Sequence, residues 1–179
     1  SECGGDGIYL PRGRNNNIIN NEIYQCDTGI HLGHWGIYSG ADKNIIRANY
    51  VHDNDKCGIT ITDDSNDNLI YRNIFTDNKA DNAYDECNNQ WDNGYTNDGC
   101  GNYYGHYTGP DVCSGPKQNK GGSDNIIDEA FTLPGSGKVD HYPLVSADLD
   151  PEIRNRGKQG FIVLNKIFEL FPFLRFILK

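Results

Sequence analysis

One eight-residue pattern recurs through the first half of the chain and limits the possible fold more than any other feature. It reads Asn17-Ile18-Ile19-Asn20-Asn21-Glu22-Ile23-Tyr24, then Asn44-Ile45-Ile46-Arg47-Ala48-Asn49-Tyr50-Val51, then Asn68-Leu69-Ile70-Tyr71-Arg72-Asn73-Ile74-Phe75. A second family of short runs opens on glycine: Gly7-Ile8-Tyr9-Leu10, Gly29-Ile30-His31-Leu32, Gly36-Ile37-Tyr38 and Gly58-Ile59-Thr60-Ile61. Gly7 to Gly29 and Gly36 to Gly58 are 22 residues apart, and Ile45 to Leu69 is 24. A repeat of that length is one supersecondary unit, which buries its apolar face only by stacking on its neighbours.

Three short strands and three turns fill such a unit. Strand alternation places Ile, Leu and Val inside and polar residues outside. Asparagine serves the turns because it tolerates the left-handed conformation, and its amide can bond the same Asn one coil on. The class predicted is therefore all-β: a right-handed parallel β-helix, a solenoid of coils of about 22–24 residues. A leucine-rich repeat has a similar period but needs a leucine consensus that is absent. Helical repeats are excluded because no 3.6-residue periodicity occurs before residue 150. Four or five coils would stack to roughly 20–25 Å, a short groove for a polymer.

Composition becomes informative once the repeat is known. Asn and Asp fill 22 and 19 of the 179 positions, and mean hydropathy is −0.68. Such polarity alone points to disorder, but 18 Ile and 11% aromatic residues argue for a packed chain. The net charge of −9 excludes nucleic acid as the main partner, since phosphate binding needs a basic footprint. Cys3, Cys26, Cys57, Cys87, Cys100 and Cys113 are widely spread and form no tight metal-binding pair. Together with the missing initiator Met, they read as disulfides in an oxidising, extracellular or cell-surface compartment. Cys3 and Cys26 are one coil apart and are candidates to pair, although Cys57 could join either of them.

Beyond Phe75 the sequence turns rich in Asn, Gly and Tyr. Its landmarks are Asn89-Gln90-Trp91-Asp92-Asn93-Gly94, Gly101-Asn102-Tyr103-Tyr104-Gly105-His106-Tyr107, Ser114-Gly115-Pro116, Gly122-Ser123-Asp124-Asn125-Ile126-Ile127-Asp128 and Asp140-His141-Tyr142-Pro143-Leu144. Over about residues 7–146 these motifs, in this order, resemble NosD-like right-handed parallel β-helix proteins, a family common on archaeal surfaces and among secreted proteins. The chain departs from the family pattern at Tyr104, where Trp is usual, at His106, where Asp is frequent, and across Asn125–Phe131. The resemblance implies the fold strongly. It implies the activity only weakly, through a namesake that assists copper maturation of a periplasmic reductase.

Candidate chemistry falls into four groups. Asp111, Ser123, Asp124 and Asp128, and the turn Asp63, Asp64 and Asp67, offer the hard oxygens that calcium prefers, although solvated turns use the same residues. Asp63-Asp64 is also the adjacent carboxylate pair for sugar hydrolysis, but no Gly-His-Gly or Arg-x-Lys element accompanies it, and we expect no hydrolase site. Copper would use His31, His34, His52, His106 or His141, of which only His31-x-x-His34 has metal-like spacing. Trp35, Trp91, Tyr103 and Tyr104, with Tyr95 and Tyr107, would either stack on sugars or cap the open end of the core, and capping is the favoured reading.

Residues 161–178 are 13 of 18 apolar, and Phe161, Leu164, Phe168 and Phe171 share one helical stripe continued by Leu174. Lys166, Arg175 and Lys179 against Glu169 give residues 161–179 a charge of +2 and leave −11 elsewhere. Three charges and Pro172 make a poor transmembrane span. Two short amphipathic helices that contact subunits or a membrane interface fit better. The expected layout is coils over 1–85, a cap over 86–146, a linker over 147–160 and this tail over 161–179. The first functional reading is a non-enzymatic extracellular assembly module that forms homo-oligomers or polymers. The second is a carbohydrate-binding or degenerate polysaccharide-active module facing cell-envelope polysaccharide. The third is a periplasmic copper-handling accessory protein.

Overall fold

The repeated runs become strands in the computed structural model, which describes residues 4–33, 40–95 and 100–147. The first coil comprises β1 (Ile8–Pro11), β2 (Asn17–Ile19) and β3 (Glu22–Tyr24). The second comprises β4 (Ile30–Gly33), β5 (Ile45–Arg47) and β6 (Tyr50–His52), and the third β7 (Ile59–Ile61), β8 (Leu69–Tyr71) and β9 (Ile74–Thr76). Every strand pairs in parallel with its counterpart one coil on, giving sheets β1-β4-β7, β2-β5-β8 and β3-β6-β9. The molecule is thus an all-β parallel solenoid of about three turns, fewer than the four or five coils expected.

Two strands extend the sheets past the third turn. β10 (Ala83–Asp85) adds to β7 and β11 (Tyr103–Tyr104) adds to β9, while Gln90 bridges to Leu69. Two antiparallel hairpins follow, β12 (Cys113–Ser114) with β13 (Lys120–Gly121) and β14 (Phe131–Thr132) with β15 (Val139–Asp140). No helix among the described residues is long and apolar enough to cross a membrane.

The core is a column of aligned inward rows. Ile8, Ile30, Ile59 and Ala83 form one row, Ile18, Ile46 and Ile70 a second, and Ile23, Val51, Phe75 and Tyr104 a third. The register corrects one expectation. Asn17 pairs with Ile45, not Asn44, so the first repeat is displaced by one residue from the gapless alignment. A one-residue slip turns every side chain to the other face. Ile18 and Ile23 are therefore inside and Tyr24 is outside. The coil spacing is also longer than 22–24 in places: Ile30 pairs with Ile59, so Gly58 is the counterpart of Gly29 and not of Gly36, which lies outside the described residues.

Three asparagine ladders run parallel to this column. In the first, Asn44 Oδ1 accepts from the backbone N–H and side-chain Nδ2 of Asn16, Asn68 Oδ1 does the same for Asn44, and Asn89 Oδ1 for Asn68. The second joins Asn21, Asn49, Asn73 and Asn102 in the same way. The third joins the Cys26 N–H, Asn54, Asn78 and Asn82. Within the coils the left-handed turn residue is the one just before the ladder Asn, and it includes Lys43, Ala48 and Arg72 as well as Asn20; the terminal Asn82, Asn89 and Asn102 are not preceded by such a residue. Turns of this kind are thus held by the amide that follows them, whatever side chain occupies the strained position.

Candidate functional site

Alternation along each strand leaves rows of side chains on the outer faces. On the β1-β4-β7-β10 face one row is Tyr9, His31, Thr60 and Tyr84. His31 Nδ1 lies 2.8 Å from Asp6 Oδ2, just ahead of β1, and its ring leans on Tyr9 at 4.9 Å. In the tautomer that donates Nδ1–H to Asp6, the ring lone pair lies on Nε2. Nε2 is 3.5 Å from Thr62 Oγ1, whose proton goes to Asp63 Oδ2 at 2.8 Å. Gly33 completes the site by having no side chain. A Cβ there would sit 2.9 Å from His31 Nε2 and 3.2 Å from both Asp63 Oδ2 and Thr62 Oγ1. Those three polar atoms converge on a space that any other residue would fill. The side chains of His31 and Asp6 remain 28% and 25% exposed, so the site opens to solvent.

The structure thus brings together two residues singled out separately in the sequence, His31 and Asp63. Asp64 next to them is exposed and takes no part in the convergence. Asp6, Thr62 and Gly33 were missed. The only signal was the period itself, which places Tyr9 beside His31 and so brings Asp6 within reach. His34 and Trp35 lie outside the described residues, as do Cys3 and the tail residues Phe161, Leu164, Phe168, Phe171 and Leu174.

The acidic and aromatic candidates of the terminal segment make these contacts within the fold. Asp111 accepts from Ser123 Oγ and the N–H groups of Asp124 and Asn125. Asp124 accepts from Gly115 N–H, Gln118 Nε2 and Ile126 N–H, and Asp128 from the N–H groups of Val112 and Cys113. These carboxylates brace the loops around β12 and β13. Trp91 and Tyr104 correct the sugar-platform expectation: both are fully buried around Phe75, because the last rungs need a lid, and neither has a ring face to offer. Tyr103 is half-buried on β11, and Tyr107 donates to the Glu129 carbonyl.

Among the described residues, Cys57, Cys87, Cys100 and Cys113 carry free thiols. Burial pushes the Cys87 and Cys100 thiols up from their ordinary pKa. No three His, Cys, Asp or Glu side chains among the described residues group as a metal-binding set.

Two buried acids stand apart from this surface. Asp85 accepts from Trp91 Nε1 at 2.7 Å, Asn89 Nδ2 and Cys87 N–H. Asp140 accepts from Asn102 N–H and Nδ2, Tyr104 Oη and Tyr142 N–H. Burial raises the pKa of both, that of Asp140 to about 7.

Compared with known proteins, residues 1–109 match the family model NosD, described as "Periplasmic copper-binding protein (NosD)". No curated protein and no solved structure matches.

Proposed function

Because the chain belongs to the NosD family of parallel β-helix proteins, we propose that it works on the outer side of the cytoplasmic membrane, in the periplasm or its equivalent, as a copper-handling solenoid. The copper-accepting group is His31. Copper here is cargo, taken up and passed on by an open site.

The observation that carries this reading is the convergence of His31 Nε2, Asp63 Oδ2 and Thr62 Oγ1 on the space left by Gly33. An imidazole nitrogen with oxygen neighbours suits copper(II), which heads the divalent affinity order. Asp6 provides the hydrogen bond that orients a ligating imidazole and raises its basicity. Two ionisable ligands fall short of the closed set of a resident metal, as a donor that must release its cargo requires.

Titration of the full chain with copper(II), read by electron paramagnetic resonance and calorimetry, tests the proposal. One nitrogen-ligated copper per chain is expected. His31→Ala should abolish it, and Asp6→Asn should weaken it about 10- to 100-fold. Copper uptake unchanged in His31→Ala would overturn the assignment.

A second reading, self-association through residues 161–179, is supported by the apolar composition of that segment. Its test is sedimentation of the full chain against a chain ending at residue 160. An unchanged oligomeric state would remove it.

A further inference from the structure

Among the described residues, the first coil has a neighbour on one side only. β2 and β3 are edge strands that pair with β5 and β6. In the second ladder, Oδ1 of Asn49, Asn73 and Asn102 each accepts from the backbone N–H and Nδ2 of the Asn one coil earlier. No group among the described residues donates to Oδ1 of Asn21, where this ladder begins. Backbone donors face the same way. The N–H groups of Ile45 and Tyr50 bond to the Asn16 and Asn21 carbonyls of the preceding coil. Asn17 and Glu22 hold the corresponding places in the first coil, so their N–H groups face the open edge. Beside them Tyr24 stacks on His52 at 5.2 Å and 11°, yet remains 48% exposed.

Residues 161–168, which lie outside the described residues, carry the pattern of one further rung. Phe161-Ile162-Val163-Leu164-Asn165-Lys166-Ile167-Phe168 aligns without gaps on Asn17-Ile18-Ile19-Asn20-Asn21-Glu22-Ile23-Tyr24. Ile162 and Ile167 fall on the inward positions of Ile18 and Ile23. Asn165 is the single Asn of residues 161–179, and it falls on the ladder position of Asn21. Leu164 falls on the left-handed corner, where Ala48 and Arg72 show that a side chain other than Asn serves. Lys166 falls beside Glu22, whose side chain is 55% exposed, and Phe168 falls over the Tyr24 ring.

We propose that residues 161–168 of one copy dock on the first coil of the next, adding a rung to the β2-β5-β8 and β3-β6-β9 sheets. Asn165 donates its N–H and Nδ2 to Asn21 Oδ1. Ile162 and Ile167 cover Ile18 and Ile23, and Phe168 covers Tyr24. Strand addition of this kind satisfies an exposed sheet edge with backbone hydrogen bonds and takes its specificity from alternate side chains. Charge favours the contact, since residues 161–179 hold +2 and the rest of the chain −11. Residues 148–160 extend to about 43 Å, roughly three times the rise from β1 to β10, which frees the segment to reach past the cap. The tail leaves the capped end and the acceptor edge lies at the other, so the contact joins unlike surfaces and builds a filament or a ring. The inference rests on the self-association reading and supplies the surface on which the tail would act.

Sedimentation velocity and amide exchange of the full-length parent, Ile167→Asp, Asn165→Ala and Phe176→Asp test it. Phe176→Asp removes a comparable apolar group outside the coil pattern. The parent should self-associate and, when concentrated, slow exchange at Asn17 and Glu22 tenfold or more. Ile167→Asp and Asn165→Ala should weaken association at least tenfold and release both amides, with protection at Ile46 kept. Phe176→Asp should behave as the parent. Association with fast exchange at Asn17 and Glu22, or equal losses from Phe176→Asp and Ile167→Asp, overturns the docking site while the self-association reading stands. A monomeric parent overturns that reading and the copy-to-copy contact together, and slow exchange at both amides in such a monomer would put the tail on its own first coil.

Discussion

At the scale of single residues, asparagine does most of the structural work. Asn49 is fully buried, accepts from the N–H and Nδ2 of Asn21, and donates through Nδ2 to the Ile18 and Arg47 carbonyls and to Asn73 Oδ1. Its side chain thus ties three coils together. Asn49→Ala would leave buried donors and acceptors on two neighbouring coils without partners, at about 1–3 kcal/mol each. We expect a loss of at least about 3 kcal/mol, measured by urea denaturation. A loss below about 1 kcal/mol would mean that the ladders contribute shape without stability. The sequence makes the Asn residues conspicuous but blurs their role, since turn formation and ladder bonding favour the same residue type. Only the positive φ at Lys43, Ala48 and Arg72 separates the two, by showing that the strained position precedes the ladder Asn and need not itself be Asn.

At the scale of elements, each ladder has a direction and therefore an end. Every ladder Asn donates its Nδ2 toward the next coil, so the last must meet an acceptor. The first ladder ends on Asp85, the second on Asp140 and the third on His106 Nδ1. Asp140 comes from β15 of the last hairpin, which is how this hairpin locks onto the rungs. Gly101 lies against that carboxylate so closely that a Cβ would overlap it, at 1.7 Å from Oδ1. Gly101→Ala should therefore expel Asp140 and detach the hairpin while the first coils persist. Amide exchange would show lost protection at Asn102 and Leu144 with protection kept at Ile46 and Val51. Uniform protection everywhere would contradict this account. None of this was legible beforehand, because Asn102 and Asp140 are 38 residues apart with no repeat linking them.

At the scale of the whole molecule, the buried acids couple cap stability to pH. An unfolded chain releases the Asp140 proton near the ordinary carboxylate pKa of about 4. The folded chain keeps it to about 7. The native state therefore holds the extra proton between those values, and this contribution to stability is full below pH 4 and is lost as pH rises to 7. Thermal melts of the parent should fall relative to Asp140→Asn across that window, by at most about 1.4 kcal/mol per pH unit, and run parallel above it. Parallel curves throughout would mean that Asp140 is ionised in the fold. The period, the Ile positions and the shortage of helical patterning were enough to derive a stacked parallel coil, because stacking is the one way such short strands bury their apolar faces. Register, the Asp6–His31–Asp63 convergence, the exposed Tyr24 stack and the buried Asp140 depended on the folded chain. A single inserted or deleted residue per coil rotates side chains between core and solvent, and the period of a sequence does not record which coil carries it.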